Sequence, residues 1–298
     1  MTPFRNRQSP PERPIEVATP LFLTLPVANI IMQLAEPRVG EGVAHSRVDS
    51  GSAFKRAVKR SRTTAQYLAV AIAGSDADRQ IYRDAVREAH SHVRSEVGDK
   101  VRYSANDPKL QLWVAMCLFK GYIDSWELLY GPLDEAAKDT LLANSATLGT
   151  TLEMRQAQWP ASWAEFDRQF TAFSADFTMT AEVRDLLSAL ADLSFLNEQW
   201  GVLGRAISTV AGPVNEFFTK ATLPPRFREL MGWEWTEADE RLFALARKGV
   251  AAVDFVAPWT MKAYWGLYLV DMRIRTRLGA PILGKLVVRP RDRHAQAA

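Results

Sequence analysis

The sequence predicts an all-α protein built as a single large helical domain. Apolar residues recur at three- and four-residue steps along most of the chain, which is the spacing of one face of an α-helix. Sustained alternation of apolar and polar residues is missing from the sequence, as are the Asn-Gly and Asp-Gly pairs of short hairpins. With 298 residues, 47% of them hydrophobic, the chain is long enough to bury a substantial core.

Three segments are expected along the chain. Residues 1–17 are polar and rich in proline and predict a flexible N-terminal arm, residues 18–288 form the helical domain, and residues 289–298 predict a flexible tail. The formal net charge of +3 is too small to indicate a nucleic-acid partner. The apolar stretch from Pro20 to Ala35 is shorter than the ~20 residues that span a bilayer. A cytoplasmic location is therefore expected, with peripheral membrane contact left open.

The first half of the domain predicts four helices separated by loops. The first lies within the stretch from Leu21 to Ala35, and the second, from Ala53 to Ala73, has a basic first half and an apolar second half. A capping-box-like Ser75 and Asp78 start the third, which is expected to continue to Val97 because Gly98 is the next helix-breaking residue. Asp107 and Pro108 signal the start of a strongly apolar helix that stops at Gly131.

The second half repeats the pattern. Ser162 and Thr236 each precede an acidic residue by three positions, which predicts a helix start at both places. Gly212 and Pro213 predict a kink or break in the helix that contains them. Further helices are expected over residues 134–148, 162–173, 180–191, 236–256 and 258–277.

Chemical motifs in the sequence are few. Cys117 is the only cysteine, which excludes an intramolecular disulfide and a cysteine-ligated metal cluster. Phosphate-binding glycine loops, the nucleophile elbow of hydrolases and the His-Glu-x-x-His zinc motif are all missing. Three of the four histidines, His45, His90 and His92, lie in the first third of the chain, so any histidine chemistry is expected there.

His90 is the histidine that faces inward on the predicted helix from Ser75 to Val97. It lies beside an apolar stripe that includes Ile81, Tyr82 and Val86, whereas His92 lies roughly 200° further around the helix. The two rings therefore diverge and do not predict a shared zinc site. Two interpretations of His90 remain open: a core histidine hydrogen-bonded to a neighbour, or a single axial ligand of a haem in an apolar pocket.

A basic run precedes His90 in the sequence. Arg60 and Thr64 are one helical turn apart and share a face of the second helix. The run is typical of a solvated surface, but it also suits a clamp for an anionic ligand, such as a phosphate or the carboxylates of a haem.

Five segments in sequence order resemble the family of MpaB-type oxygenases and latex-clearing rubber oxygenases. The segments are MQLAEPRVGEGVAHS from Met32, RSRTTAQYLAVAIAGSD from Arg60, VREAHSHVR from Val86, YSANDPKLQLWVAMCL from Tyr103 and LPPRFRELMGWEWTEADERL from Leu223. The resemblance implies an all-helical fold of the rubber-oxygenase type that encloses one haem b. It implies a haem-dependent oxygenase that acts with dioxygen on a hydrophobic, isoprenoid or lipid-like small molecule.

The resemblance also implies roles for individual residues. It places the iron ligand at His90, and it places Arg60 and Thr64 near the haem, where they support the oxygen chemistry or, for Arg60, bind the cofactor. Three positions depart from the family pattern. Thr63 stands where latex-clearing members carry a lysine, and Ala115 and Glu36 stand where many relatives carry histidine.

These departures leave two alternatives to the oxygenase. One is a non-catalytic helical protein that binds haem or an apolar ligand, and the other is a haem-free structural or interaction protein in which His90 belongs to the core. The resemblance implies no oligomeric state.

Overall fold

The computed structural model describes residues 10–23, 26–96, 98–99, 101–257 and 259–289. Over these ranges the chain is helical and contains no β-strand, apart from two isolated bridges that pair Val48 with Val288 and Arg94 with Ser104. The α-helices are α1 (Pro14–Val17), α2 (Pro26–Leu34), α3 (Pro37–Ala44), α4 (Ala57–Ala73), α5 (Asp76–Ser91), α6 (Pro108–Tyr130), α7 (Glu135–Ala143), α8 (Thr147–Thr150), α9 (Trp163–Ser174), α10 (Ala181–Ala191), α11 (Leu196–Trp200), α12 (Val202–Thr222), α13 (Pro225–Met231), α14 (Glu237–Val256) and α15 (Thr260–Arg277). The all-α prediction is confirmed.

Helix α6 is the centre of the hydrophobic core. Its start is fixed by the Asp107 carboxylate, which accepts a hydrogen bond from the Lys109 amide at 2.7 Å, and its end by Gly131 at φ 90°. Trp113 of α6 is fully buried, and its ring lies 4.9 Å from that of Phe170 in α9. Because apolar side chains cover α6 on most sides, the other helices pack around it.

Helices α4 and α15 are distant in sequence and pack along each other. Arg62 of α4 donates a hydrogen bond to the Asp271 carboxylate of α15 at 3.1 Å. Gln66 of α4 donates to the same carboxylate. The Asp271 carboxylate therefore accepts hydrogen bonds from two side chains of α4, and these bonds hold α15 against α4.

Two predicted boundaries and one predicted buried position are wrong. Helix α5 ends at Ser91 instead of Val97, because the Ala105 amide donates to the Val93 carbonyl at 2.9 Å and draws residues 93–95 into an extended pair with residues 103–105. Val97 itself lies outside the described residues. Helix α4 begins at Ala57, four residues later than predicted. Ile81, expected in the buried stripe of α5, is exposed.

Of the kink or break predicted at Gly212 and Pro213, the break is wrong, since α12 runs through both residues. Pro213 is exposed, so the backbone carbonyl that it leaves without a helical donor can bind water. On its buried side, α12 packs closely against the backbone of the preceding segment at Gly204 and Gly212. A Cβ atom on Gly212 would lie 2.3 Å from the Asp192 carbonyl oxygen, and one on Gly204 would lie 2.1 Å from that of Leu196.

Substituting Gly204 by alanine is expected to destabilise the protein by about 2 kcal/mol, because the new methyl group would overlap backbone that has no rotamer to change. Gly249, in the interior of α14, is the matched control, since a Cβ atom there meets open space. Gly249→Ala should leave stability unchanged or raise it by up to about 1 kcal/mol. Urea unfolding of both variants measures the difference, and equal midpoints would contradict the assigned close contact.

Some residues that were expected in the N-terminal arm and the C-terminal tail belong to the folded domain. Residues 1–9 and 290–298 lie outside the described ranges. Residues 14–17, assigned from sequence to the arm, form α1, in which Val17 is buried. Arg289, the first residue of the expected tail, donates its backbone amide to the Arg47 carbonyl at 2.8 Å. In the described part of the chain, no helix combines the length and apolarity needed to cross a bilayer.

Candidate functional site

His90 lies near the C-terminal end of α5, whose N-terminal end is firmly held. Ser75 and Asp78 form the predicted capping box, in which the Asp78 carboxylate accepts a hydrogen bond from the Ser75 amide at 2.9 Å. The same carboxylate accepts a hydrogen bond from Arg273 of α15 at 2.8 Å. Helix α5 is therefore tied to the C-terminal part of the domain at one end and presents His90 at the other.

The segment after α5 brings Ala105 to the His90 ring. The Val93 amide donates to the His90 carbonyl at 2.9 Å, and the Ala105 amide donates to the Val93 carbonyl. The Ala105 carbonyl in turn accepts a hydrogen bond from the side-chain amide of buried Gln111, in α6, at 2.7 Å. These bonds fix the backbone against which the imidazole lies.

The imidazole of His90 is neutral at pH 7. Its pKa is lowered from 6.5 to about 4, chiefly by burial and also by the positive charge of Arg60, whereas the backbone of Ala105 acts to raise it. The Nδ1 atom of the ring is buried and makes no hydrogen bond to any described residue. A neutral ring with an unsatisfied nitrogen is the form of histidine that binds a metal ion.

Arg60 supplies the charge that acts on His90. Its side chain is exposed, yet burial by surrounding protein lowers its pKa, an effect that the Tyr82 hydroxyl opposes. Within the described ranges, no carboxylate forms an ion pair with Arg60, so its charge is left without an anion.

The two threonines beside Arg60 differ in their contacts. Thr64 is half-buried one turn after Arg60 and makes no side-chain hydrogen bond to Arg60 or His90. Thr63 donates its hydroxyl to the Arg60 carbonyl at 3.1 Å, and its own carbonyl accepts a hydrogen bond from the Tyr82 hydroxyl at 2.5 Å. The structure therefore brings Arg60 and His90 into electrostatic contact, with Thr64 on the Arg60 face of α4.

Two tyrosines belong to this region but were not singled out as site residues from sequence. The rings of Tyr67 and Tyr82 lie 6.2 Å apart, and burial raises the pKa of both hydroxyls, so both are neutral at pH 7. Tyr67 donates its hydroxyl to the Leu148 carbonyl. The sequence signal for Tyr67 is its spacing, because seven residues, or two turns, separate it from Arg60 on the same face.

The positions that depart from the family pattern have structural partners here. Ala115 is fully buried in the apolar core around α6. Glu36 is buried at the start of α3, where its carboxylate accepts a hydrogen bond from the Val39 amide at 2.9 Å and pairs with Arg38 at 2.6 Å. Ala115 therefore carries no polar group, and the Glu36 carboxylate is held by Arg38 and by the start of α3.

The described residues contain no cluster of three or more histidine, cysteine, aspartate or glutamate side chains suited to a metal ion. His45 is exposed and lies 3.1 Å from Glu41 and 3.6 Å from Glu182. It is therefore a surface residue held by carboxylates.

One family model and two uncharacterized relatives match this chain. A family model described as ER-bound oxygenase mpaB/B' and rubber oxygenase, catalytic domain, matches residues 17–252. The uncharacterized protein Rv2237 of Mycobacterium tuberculosis is 42% identical over 262 residues, which are 88% of this chain and the whole of that relative. The uncharacterized protein Mb2261 of Mycobacterium bovis matches to the same extent. No solved structure shows a significant match.

Proposed function

Because the chain belongs to the family of mpaB-type and rubber oxygenase catalytic domains, we propose that it is a haem b-dependent oxygenase. Its co-substrate would be dioxygen, and its substrate a hydrophobic small molecule of isoprenoid or lipid-like character. One observation carries the proposal: the charge of Arg60, which has no carboxylate partner among the described residues, acts on the neutral imidazole of His90. Haem b suits both groups, since it has an iron for the imidazole and carboxylates for the guanidinium.

The residues around His90 fit such a cofactor. The Nδ1 atom is buried, and the pKa of about 4 keeps the imidazole neutral under physiological conditions. A ligand histidine uses one ring nitrogen for the metal and the other for a backbone or carboxylate acceptor, and the Ala105 backbone, held by Gln111, is the acceptor at hand. Buried Tyr82 and half-buried Val86 add a largely apolar surround on α5.

The proposed roles follow from these contacts. His90 would be the single iron ligand from the protein. Arg60 would hold a positive charge toward a haem carboxylate or toward the side where dioxygen binds, and the Thr64 hydroxyl can donate a hydrogen bond in the same direction. Haem iron, when bound, supplies the activation of dioxygen. Thr63 cannot replace a lysine in this scheme, because its hydroxyl donates to the Arg60 backbone.

A second candidate function is a haem- or apolar-ligand-binding protein without turnover. The specific observation in its favour is Ala115, which is fully buried among apolar side chains where many relatives carry histidine. The core around α6 therefore lacks at that position a group that could transfer a proton.

Haem-loaded wild-type protein is expected to consume dioxygen when an isoprenoid alkene is added and to consume none beyond background without it. Arg60→Leu should lower this rate by about tenfold or more, because it removes a charge-assisted interaction of about 1.5–3 kcal/mol. An oxygen electrode with haem content matched by absorbance measures both. Exposed Arg241, in a pair with Glu237 on α14, provides the control variant Arg241→Leu, which should keep the wild-type rate.

The outcomes separate the two candidate functions. Haem binding without alkene-dependent oxygen consumption would favour the non-catalytic binding protein. Equal rates for Arg60→Leu and Arg241→Leu would contradict the role of Arg60.

A further inference from the structure

The last long helix, α15, is apolar on two opposite sides. Its inner side is buried and places Met261, Trp265 and Met272 in the core. At about 100° per residue, Val270 and Ile274 lie on the opposite side, where they are 51% and 49% exposed. A surface helix in water normally carries polar residues on its outer side, so the outer side of α15 is unusual.

The exposed apolar residues form one row along the helix. The row begins with Trp259, the residue before α15, which is 66% exposed, and it ends at Ile274, about 22 Å further along the helix axis. Leu267 marks one edge of this side, where a groove between α4, α11 and α15 begins. A continuous row of this length is more than scattered surface hydrophobics explain. We call the exposed side the outer face of α15, and it consists of Trp259, Lys262, Ala263, Gly266, Val270, Ile274 and Arg277.

The charged residues of the outer face are both basic. Lys262 and Arg277 are exposed, and neither forms an ion pair with any residue that the structure describes. Arg273 lies at the edge of the face, and its charge is compensated by Asp78 at 2.8 Å. Asp271, the one acidic residue of α15, lies toward the groove. The outer face therefore presents positive charge beside apolar surface.

The sequence around α15 has the same bias. Residues 255–289 contain six lysines and arginines and one acidic residue, whereas the whole chain contains 37 and 34. This charge favours an anionic partner and opposes a second copy of the chain, because a two-fold contact through this face would bring like charges together. The chain ends outside the described ranges, residues 1–9 and 290–298, also carry more basic than acidic residues. They do not match the charge of the face either.

An exposed apolar row with a tryptophan at one end and unpaired cations beside it has the chemistry of a helix that lies in a membrane interface. We propose that the outer face of α15 binds the surface of an anionic lipid bilayer, with the helix parallel to the membrane plane. Val270 and Ile274 enter the boundary of the acyl chains, and Trp259 lies at the level of the head groups. Lys262 and Arg277 select anionic lipids. A fluid bilayer can cover this convex helix without a matching groove.

Co-sedimentation of the purified full-length chain with large unilamellar vesicles tests the proposal. Vesicles that contain phosphatidylcholine and one-third phosphatidylserine should bind the wild type at least about tenfold more tightly than vesicles of phosphatidylcholine alone, because each basic side chain near an anionic surface strengthens binding roughly fivefold. Val270→Glu should weaken binding to the anionic vesicles by about tenfold or more, since it places a carboxylate in the apolar row. The double variant Lys262→Glu/Arg277→Glu should have an effect of at least the same size.

Each variant has a matched control elsewhere on the surface. Val43→Glu corresponds to Val270→Glu, because Val43 is 43% exposed and lies on α3. Arg168→Glu/Arg205→Glu corresponds to the double charge reversal, because both arginines are exposed, on α9 and α12, and neither forms an ion pair among the described residues. Both controls should bind anionic vesicles within about twofold of the wild type. Circular dichroism of all four variants checks that they are folded.

Several results would overturn the proposal. They are absence of vesicle binding, equal binding to anionic and neutral vesicles, and equal binding by Val270→Glu and Val43→Glu. A dimer that forms without vesicles and that Val270→Glu dissociates, as measured by sedimentation equilibrium, would assign the face to a second copy of the chain instead. Binding of polyglutamate without binding of vesicles would assign it to an acidic protein. The measurements need no haem, so their result is independent of the oxygenase assignment.

Discussion

Replacing His90 by alanine is expected to abolish haem retention while the protein remains helical. The proposed site has one protein ligand to iron, so its removal leaves the macrocycle held only by apolar contact and by Arg60. Folding should survive, because the substitution also removes a buried Nδ1 atom that has no hydrogen-bond partner among the described residues. Wild type and variant, purified side by side from haem-supplemented cells, are compared by visible absorption and far-ultraviolet circular dichroism.

His92 provides the control for this experiment. It is the residue that follows the last helical residue of α5, two positions from His90, and His92→Ala should keep the wild-type haem band. Adding imidazole to His90→Ala should restore part of the band, because the free ligand can enter the space left by the side chain. Equal haem content in the two alanine variants would refute the assignment of His90. A wild-type protein without a haem band would leave His90 as a core residue.

The second large effect is the pH dependence of stability in protein free of haem. The folded pKa of His90 is about 4, below its ordinary value of 6.5. Between these two pH values His90 is protonated in the unfolded chain and neutral in the folded protein. The free energy of unfolding therefore falls as pH falls from 6.5 to 4. The shift corresponds to about 3 kcal/mol, which is fully lost below the folded pKa. Urea unfolding at pH 7, 5 and 4 measures this loss.

Two variants assign the pH effect to its source. His90→Gln should remove most of the loss between pH 6.5 and 4. Asp78→Asn should lower stability throughout this window and change the pH dependence only below it, because the pairing with Arg273 lowers the pKa of the Asp78 carboxyl from 3.8 to about 2. A depressed carboxyl stabilises the fold above the unfolded pKa and loses that contribution as pH falls toward 2. An unchanged pH profile in His90→Gln would show that the imidazole is not desolvated.

Sequence signals that act within one or two helical turns correctly predicted several helix ends. The Asp107 cap with Pro108, the Ser75–Asp78 box and Gly131 each mark an observed helix end. The end of α5 was missed because the competing interaction, the extended pair of residues 93–95 with 103–105, joins residues about ten positions apart. Helical periodicity contains no information about that pairing.

The candidate site was predictable in part for the same reason. His90 and the turn from Arg60 to Thr64 can be read from helical spacing and family resemblance. Ala105 was missed because a loop carries it to the ring, and Tyr82 because its hydroxyl acts across two helices. The groove between α4, α11 and α15 joins segments that are distant in sequence and leaves no signal in any one of them.

The packing of α4 against α15 sets when the first half of the chain can complete its folding during synthesis. Synthesis at ~5–20 residues per second places Thr260 tens of seconds after Ala73, and until then Arg62 and Asp78 lack their partners in α15. A nascent chain therefore completes the packing of α4 and the anchoring of α5 only when its last long helix leaves the ribosome. The matched family region ends at residue 252, before α15. A gene trimmed to that region would encode a chain whose α4 and α5 lack these partners.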